Sequence, residues 1–268
     1  MADIYKITPG NIIGGPGRLV VKSYDGIFPE KISEVMDLTA PYNLKPGWKD
    51  LGATREGITT ARGFDTEDFE VDQVGVVDTY ITSWTHTLET QLAENTIENR
   101  QLALVGGTIL ETPPVLGTAV TLSAEVAAQA TILNLSATTG LQEGSWIKIG
   151  TEIKRIRQVS GNSVFLTEPV VKGYPASENV FPIVELGTKR IGFGAVADVP
   201  FMTYALISQK KDGTLYMCVI RKAKVTGDEK EQTYSREKRM LPLQLQAFPV
   251  EGLPETEDVY YEIEEVRA

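Results

Sequence analysis

Residues 83–94 read Ser-Trp-Thr-His-Thr-Leu-Glu-Thr-Gln-Leu-Ala-Glu, and this stretch decides the fold class of the chain. Its side chains alternate between two sets, of which one comprises Trp84, His86, Leu88, Thr90 and Leu92. A period of two residues is typical of a β-strand that buries one of its faces. The sequence therefore predicts a half-buried strand here, with Glu89 on the opposite, solvated face.

A short helix is predicted directly after this strand. Asn95 or Thr96 can act as the N-cap, and Ile97, Leu102 and Val105 share an apolar side before Gly106-Gly107 ends the segment. It is the one helix that the sequence predicts, because the other apolar runs are short and separated by Gly, Pro, Asn and Asp. The expected fold class is therefore mainly β with one flanking α-helix.

Upstream of the strand lies an acidic run without a single Lys or Arg, formed by Asp65, Glu67, Asp68, Glu70, Asp72 and Asp78. Glu70 and Asp72 alternate with apolar residues, which predicts that the two carboxylates share one strand face. A solvated surface, a contact between subunits, and a metal or catalytic site are all open interpretations of this run. A calcium loop of the Asp-x-Asn-x-Asp-Gly kind is missing from it.

The sequence offers no catalytic device, so we expect a protein that is not an enzyme and has no cofactor. His86 is the only histidine, and no Gly-x-Ser-x-Gly element accompanies it. One histidine and one cysteine do not make a zinc site, so no metal is expected. The cysteine, Cys218, lies in the apolar run 215–220, which predicts a buried and inert thiol.

A separate module is predicted between Pro113-Pro114 and about Phe181. Short strands with hairpin turns at Gly150-Thr151 and at 160–162 indicate a small all-β domain. Its five acidic and five basic residues cancel, so the net charge of −10 belongs to the rest of the chain. We therefore expect an inserted domain at 113–182 and a discontinuous β domain formed by 1–112 and 183–268. Within the insertion, Trp146 is expected to alternate as a core residue.

Beyond the insertion the chain again predicts strands. Residues 201–209 and 214–225 are joined by Lys211-Asp212-Gly213, which favours a hairpin turn, and 241–248 alternate as a further strand. The segment 251–265 has seven acids and no base, but Val259-Tyr260-Tyr261 within it predicts an edge strand.

Composition limits the classes of partner. A net charge of −10 argues against a sequence-independent grip on nucleic acid, which needs Lys and Arg at the phosphates. No stretch approaches 18 apolar residues and the N-terminus lacks a signal-peptide pattern, so we expect no membrane span and synthesis in a bacterial cytoplasm.

In their order along the chain, several motifs resemble those of phage tail-tube proteins. They are Gly47-Trp48-Lys49-Asp50-Leu51-Gly52-Ala53-Thr54, Val71-Asp72-Gln73, Leu88-Glu89-Thr90-Gln91-Leu92-Ala93-Glu94 and Thr96-Ile97-Glu98-Asn99. The resemblance covers the chain outside the insertion. It implies a β-sandwich or β-barrel with a flanking helix, and a ring of six copies that stacks into a tube within the virion.

The resemblance also implies partners and positions. The tube conducts phage DNA without specific binding, and it meets a baseplate, a tail terminator and, if the tail contracts, a sheath. Glu70, Asp72 and Glu89 become candidates for the lumen, where carboxylates repel phosphate. The apolar residues Ile27, Phe28, Val35 and Met36, expected to be exposed in the loop between Tyr24 and Trp48, become candidates for contact with the next subunit.

Two other functions remain open at this stage. A baseplate hub or tube-initiator ring could use the same fold, since plain tube subunits often lack an insertion. A receptor- or carbohydrate-binding tail protein is the other alternative, with Trp146 and Tyr174 as its only aromatic support.

Overall fold

The computed structural model describes residues 17–227 and 238–266. Within them the protein is mainly β, with three antiparallel sheets and a single α-helix, and none of these sheets closes into a barrel. The predicted mainly-β class with one helix is therefore confirmed. No helix in the described ranges is both long and apolar enough to cross a membrane.

The described part of the chain forms seventeen strands and one α-helix. The strands are β1 Arg18–Ser23, β2 Lys49–Asp50, β3 Thr54–Val71, β4 Gly75–Leu92, β5 Leu110–Thr112, β6 Val115–Leu116, β7 Val120–Thr121, β8 Ile132–Asn134, β9 Trp146–Ile149, β10 Glu152–Ser160, β11 Ser163–Leu166, β12 Asn179–Glu185, β13 Thr188–Arg190, β14 Met202–Gln209, β15 Leu215–Val225, β16 Leu241–Ala247 and β17 Tyr260–Glu264. The helix α1 is Ile97–Ala103, and a 3-10 turn occupies Ile32–Glu34.

The chain divides into two compact units. The second unit is Leu110–Arg190, and the first comprises the chain up to Ile109 and from Ile191 onward. The predicted insertion, 113–182, lies inside the second unit. The unit includes more residues than predicted at both ends, because β5 pairs with β13 and places Leu110 opposite Arg190.

The first unit is built on one sheet with the strand order β2-β1-β14-β15-β16-β4-β3, and β17 also pairs with β15. The turn between β14 and β15 is the predicted one at 211–213, and β17 is the edge strand predicted in the acidic C-terminal segment. β3 stands at the end of this order, so its outer edge has no partner strand in the described part of the chain.

The central strands of this sheet are buried on both faces. Leu19, Tyr204 and Leu92 belong to the core on one face, whereas Val20, Met217 and Val219 belong to the core on the other. A strand covered on both faces has a nearly continuous apolar sequence, as Leu-Tyr-Met-Cys-Val-Ile at 215–220 does.

The segment between β1 and β2 covers the second of these faces, which corrects one expectation. Val35 and Met36 were predicted to be exposed contact residues, but they are 0% and 4% exposed and pack with Trp48 in the core. The physical reason is that the opposite face of β14 and β15 needs apolar cover, which only tertiary packing reveals.

Helix α1 follows β4 with the predicted cap. The side chain of Thr96 accepts a hydrogen bond from the backbone N–H of Asn99 at 3.1 Å. The helix ends at Ala103, earlier than the predicted end at Gly106-Gly107, and Val105, with φ of 54°, already has the left-handed conformation. The N–H of Gly106 then bonds to the carbonyl of Gln101, which closes the end of the helix.

The second unit has a core of its own, around Leu133, Ile147, Ile149 and Val164. The turns predicted at 150–151 and 160–162 connect β9 to β10 and β10 to β11. The expectation for Trp146 was wrong. Ile147 and Ile149 are buried, so the alternation places Trp146 on the opposite face, half-buried beneath the Arg155 guanidinium at 5.9 Å.

Candidate assembly surface

The most distinctive feature of the first unit is the hairpin of β3 and β4. Both strands run for 18 residues, and their register continues from Thr54↔Leu92 to Val71↔Gly75 with three irregularities. The turn at Asp72–Val74 is followed by Gly75 with φ of 85°, a conformation that favours glycine. We call residues 63–85 of this hairpin the arm.

The arm is exposed on both faces. From Gly63 to Thr85 all residues are exposed except Val71, which is half-buried. In contrast, the base of β4 alternates as predicted, with His86, Leu88, Thr90 and Leu92 buried and Glu89 exposed. The predicted half-buried strand is thus confirmed for residues 86–92, but Trp84 lies beyond the covered part and is 46% exposed.

Apolar and acidic side chains are mixed along the arm. Eight large apolar side chains are each about half exposed or more: Phe64, Phe69, Val74, Val76, Val77, Tyr80, Ile81 and Trp84. The six acids of the predicted acidic run lie here as well, and the arm contains no Lys or Arg. Soluble monomers rarely expose an apolar surface of this kind without using it.

The contacts within the arm hold its two strands together but do not attach it to a core. The rings of Phe64 and Trp84 lie 5.1 Å apart, Thr79 donates to Asp68 at 2.7 Å, and Ser83 donates to Asp65 at 2.8 Å. The Arg62 guanidinium stacks on Trp84 at 4.0 Å where the arm begins. A two-stranded hairpin without a covered face is only marginally stable in water, so such an arm gains most from a partner surface.

The structure does not bring the three predicted lumen acids together. Glu70 lies near the tip of the arm opposite Val76, Asp72 lies in the turn, and Glu89 lies at the base opposite Thr59. Thirteen residues of β4 separate Val76 from Glu89, a distance of roughly 40 Å along an extended strand. The prediction that Glu70 and Asp72 share a strand face is wrong, because β3 ends at Val71.

Of the predicted contact residues in the loop, Ile27 is 70% exposed and Phe28 is half-buried. Phe28 packs beneath the Arg221 guanidinium at 4.8 Å, and the same guanidinium lies 4.1 Å from the ring of Tyr261. The loop is therefore tied to β17. Whether Ile27 contacts another subunit stays a prediction.

His86 and Cys218, the only histidine and the only cysteine of the chain, line the same pocket of the first unit. His86 is buried, and burial and the nearby Arg62 lower its pKa. Burial raises the pKa of the Cys218 thiol to about 12, in agreement with the predicted inert cysteine. Among the described residues no three His, Cys, Asp or Glu side chains are placed to hold a metal ion.

Neighbouring basic residues of β10 lie on opposite faces of the strand. Arg155 and Arg157 are exposed, whereas Lys154 lies on the opposite face, buried beside Glu152 at 3.3 Å. Tyr174 is also buried, and its hydroxyl donates to Glu152 at 2.8 Å, so it is no exposed platform for a sugar.

The arm was not predicted as one element. The sequence predicts an acidic strand and a separate alternating strand, but it does not show that both continue past the covered base as one protruding hairpin. The available signal was Val71-Asp72-Gln73-Val74-Gly75, a turn-like sequence between two long runs without Pro.

The sequence matches no protein-family model, and its comparison with curated proteins finds no significant similarity.

Proposed function

We propose that this chain is a structural subunit that assembles with copies of itself, as the tail-tube subunit of a bacteriophage or of a related contractile injection particle. The observation that carries the proposal is the arm, because residues 63–85 expose apolar side chains on both faces. Rings of about six copies, stacked into a tube in the phage virion, would give such an arm a neighbour to pack against.

The edge of the sheet supports the same proposal. No strand of the described ranges pairs with the outer edge of β3, which is 18 residues long, and a long exposed edge promotes aggregation unless another strand pairs with it. In a closed ring each such edge can pair with a strand of the neighbouring copy, and the number of copies stays fixed. In the proposed ring, the edge of β3 meets a strand of the next copy.

The distribution of charge suits a conduit for DNA. The second unit is neutral, with seven acids and seven bases among residues 110–190, so the net charge of −10 lies in the first unit. An acidic channel wall repels phosphates, so DNA passes without binding. Baseplate, terminator and sheath proteins are the further partners in this proposal.

The proposal is tested by negative-stain electron microscopy and sedimentation over a concentration series. We expect the unmodified protein to form rings or tubes with a central channel. Phe69→Ser combined with Tyr80→Ser removes two exposed arm side chains, and should shift the protein to monomers while leaving its circular dichroism unchanged.

The matched control is Val171→Ser with Val184→Ser, which removes two apolar side chains of the second unit that are at least as exposed as Phe69 and Tyr80. This control should assemble like the unmodified protein. A protein that stays monomeric at all concentrations, or arm variants that assemble normally, would contradict the proposal. Rings that form only with another tail protein would favour the baseplate or initiator alternative.

A further inference from the structure

The first unit contains a cavity that its core does not fill. The cavity has a volume of about 90 Å³ and lies where β3, β4, β15, β16 and β17 meet. Its inner wall is apolar and deeply buried, since Leu88, Ala223 and Leu245 are at most 1% exposed. A pocket with an apolar, deeply buried inner end has the general character of a site that accepts an apolar group.

A second, outer chamber of about 260 Å³ adjoins this cavity. The two chambers share four lining residues, Arg62, His86, Tyr260 and Glu262, which form a waist between them. The outer chamber is further lined by the carboxylates of Glu255, Glu257 and Asp258. The site as a whole therefore has an apolar inner end and an acidic outer end.

An unpaired polar group marks the waist. His86 is 8% exposed, and its buried Nδ1 has no hydrogen-bond partner within residues 17–227 and 238–266. The ring of Tyr260 meets the imidazole edge-on at 5.2 Å, so the waist also has two aromatic walls. Buried polar atoms are nearly always paired, and leaving one unpaired costs free energy that a bound hydrogen-bonding group restores.

The charges at the waist and in the outer chamber favour a cation. Glu257 is paired with Arg221 at 3.5 Å, and the guanidinium of Arg62 stacks on Trp84 at 4.0 Å. Three further carboxylates, of Glu255, Asp258 and Glu262, stand against the single charge of Arg62, and Glu262 also accepts a hydrogen bond from the Tyr216 hydroxyl. Aromatic faces next to carboxylates are the usual surroundings of a bound ammonium group.

We propose that this two-chamber cavity binds a small amphiphilic amine. Its aliphatic tail fills the inner chamber against Leu88 and Leu245, and its ammonium group lies at the waist among Glu262, Tyr260 and the free lone pair of His86. A lysine side chain of a partner protein fits less well, because it enters with its charged end first and would place that charge in the apolar chamber.

Three six-carbon probes distinguish the effect of the ligand's charge on binding from the effect of burying its apolar tail. They are n-hexylammonium, 1-hexanol and hexanoate. Binding is followed on the full chain by the ring signal of its only histidine in NMR. We expect n-hexylammonium to shift the His86 signal, hexanol to bind about tenfold more weakly, and hexanoate not to bind.

Two variants and a matched control locate the site. Ala247→Leu should abolish binding by filling the inner chamber, and Glu262→Gln should weaken it about tenfold by removing one charge. Glu251→Gln, an exposed acid of the same segment outside both chambers, should bind like the unmodified protein.

Several results would overturn the proposal. Equal binding of hexanol and hexylammonium would show a merely apolar void, and equal effects of Glu262→Gln and Glu251→Gln would show unspecific attraction by acidic charge. Tighter binding of Nα-acetyl-lysine amide than of hexylammonium would identify a lysine side chain as the occupant. Because each readout comes from the single chain, the outcome does not depend on whether the protein forms rings.

Discussion

The partly buried carboxylate of Glu152 holds several backbone and side-chain groups in place. It accepts hydrogen bonds from the backbone N–H groups of Val171 at 2.8 Å and Lys172 at 3.0 Å and from the Tyr174 hydroxyl, and it pairs with Lys154. Burial alone would raise the pKa of Glu152, but these hydrogen bonds together hold it at about 2, below the ordinary 4.5. The carboxylate thus ties the loop before β12 to the start of β10.

Replacing Glu152 by Gln should therefore destabilise the second unit. At pH 7 we expect a loss of about 1–3 kcal/mol in the free energy of unfolding, because two backbone donors lose a charged acceptor. Since the folded pKa lies below the unfolded one, the carboxylate stabilises fully above about pH 4.5, and this contribution is lost as the pH falls toward 2. Urea unfolding at pH 7 and at pH 3 measures both effects.

The difference in unfolding free energy between the unmodified protein and Glu152→Gln should be large at pH 7 and smaller at pH 3. Glu143→Gln, at an exposed position of the same unit, serves as the control and should change the unfolding free energy little at either pH. A gap that does not depend on pH would mean that shape, and not the charge of Glu152, stabilises the loop.

At the scale of elements, the helix α1 depends on two neighbouring side chains. Thr96 caps its first turn, and Asn99, which is only 5% exposed, donates from Nδ2 to the carbonyls of Leu51 at 2.9 Å and Glu94 at 2.7 Å. Asn99 thereby joins the helix to the strand ends on either side of the hairpin base. Its burial makes it the more sensitive of the two positions.

Thr96→Ala should cost about 1 kcal/mol of stability through the lost cap, and Thr96→Ser should recover most of it. Asn99→Ala should cost more, about 1–3 kcal/mol, because the buried carbonyl of Leu51 loses its donor. Thermal and urea unfolding of the unmodified protein and the three variants ranks them by stability. If Asn99→Ala were no worse than Thr96→Ala, the bridge to Leu51 would contribute nothing.

The hairpin of β3 and β4 is longer than the segment whose apolar–polar alternation predicts a strand. Its base, from His86 to Leu92, follows the alternation of apolar and polar residues because one face meets the core. Its arm continues with the same strand pairing although neither face is covered. The strands therefore continue into the arm through backbone pairing alone. This pairing has irregularities at Asp65/Thr66 and Phe69/Glu70, and no core buries the side chains there.

On the scale of the whole molecule, the second unit is built as a separable domain. Leu110 and Arg190 are opposite partners in an antiparallel pair, so the ends of the unit lie about 5 Å apart. Its core contains only residues of its own segment. A short Gly-containing turn between Ile109 and Ile191 can therefore replace it without pulling on the first unit.

We expect residues 110–190 to fold alone with a cooperative urea transition, and the first unit to keep its circular dichroism after the excision. The matched comparison is the fragment 113–182, which lacks Ile183, the partner of Leu116 and Trp146, and should be less stable. An unfolded remainder, or a fragment 113–182 as stable as 110–190, would contradict these boundaries.

The sequence by itself determined the local elements of this protein. The alternation at 86–92, the Thr96 cap, the turn at 211–213 and the buried Cys218 all depend on residues within a few positions of one another, so they could be predicted. The mainly-β class follows from the same short-range patterns.

Tertiary structure alone decided which strand faces are covered. Val35 and Met36 are buried because they pack on the second apolar face of β14 and β15. Trp146 lies on the outer face of its strand because Ile147 and Ile149 pack in the core of the second unit. The arm is exposed and the cavity beside His86 is unfilled for the same reason. Periodicity shows that a strand has two faces, but only contacts between distant segments determine what lies against each.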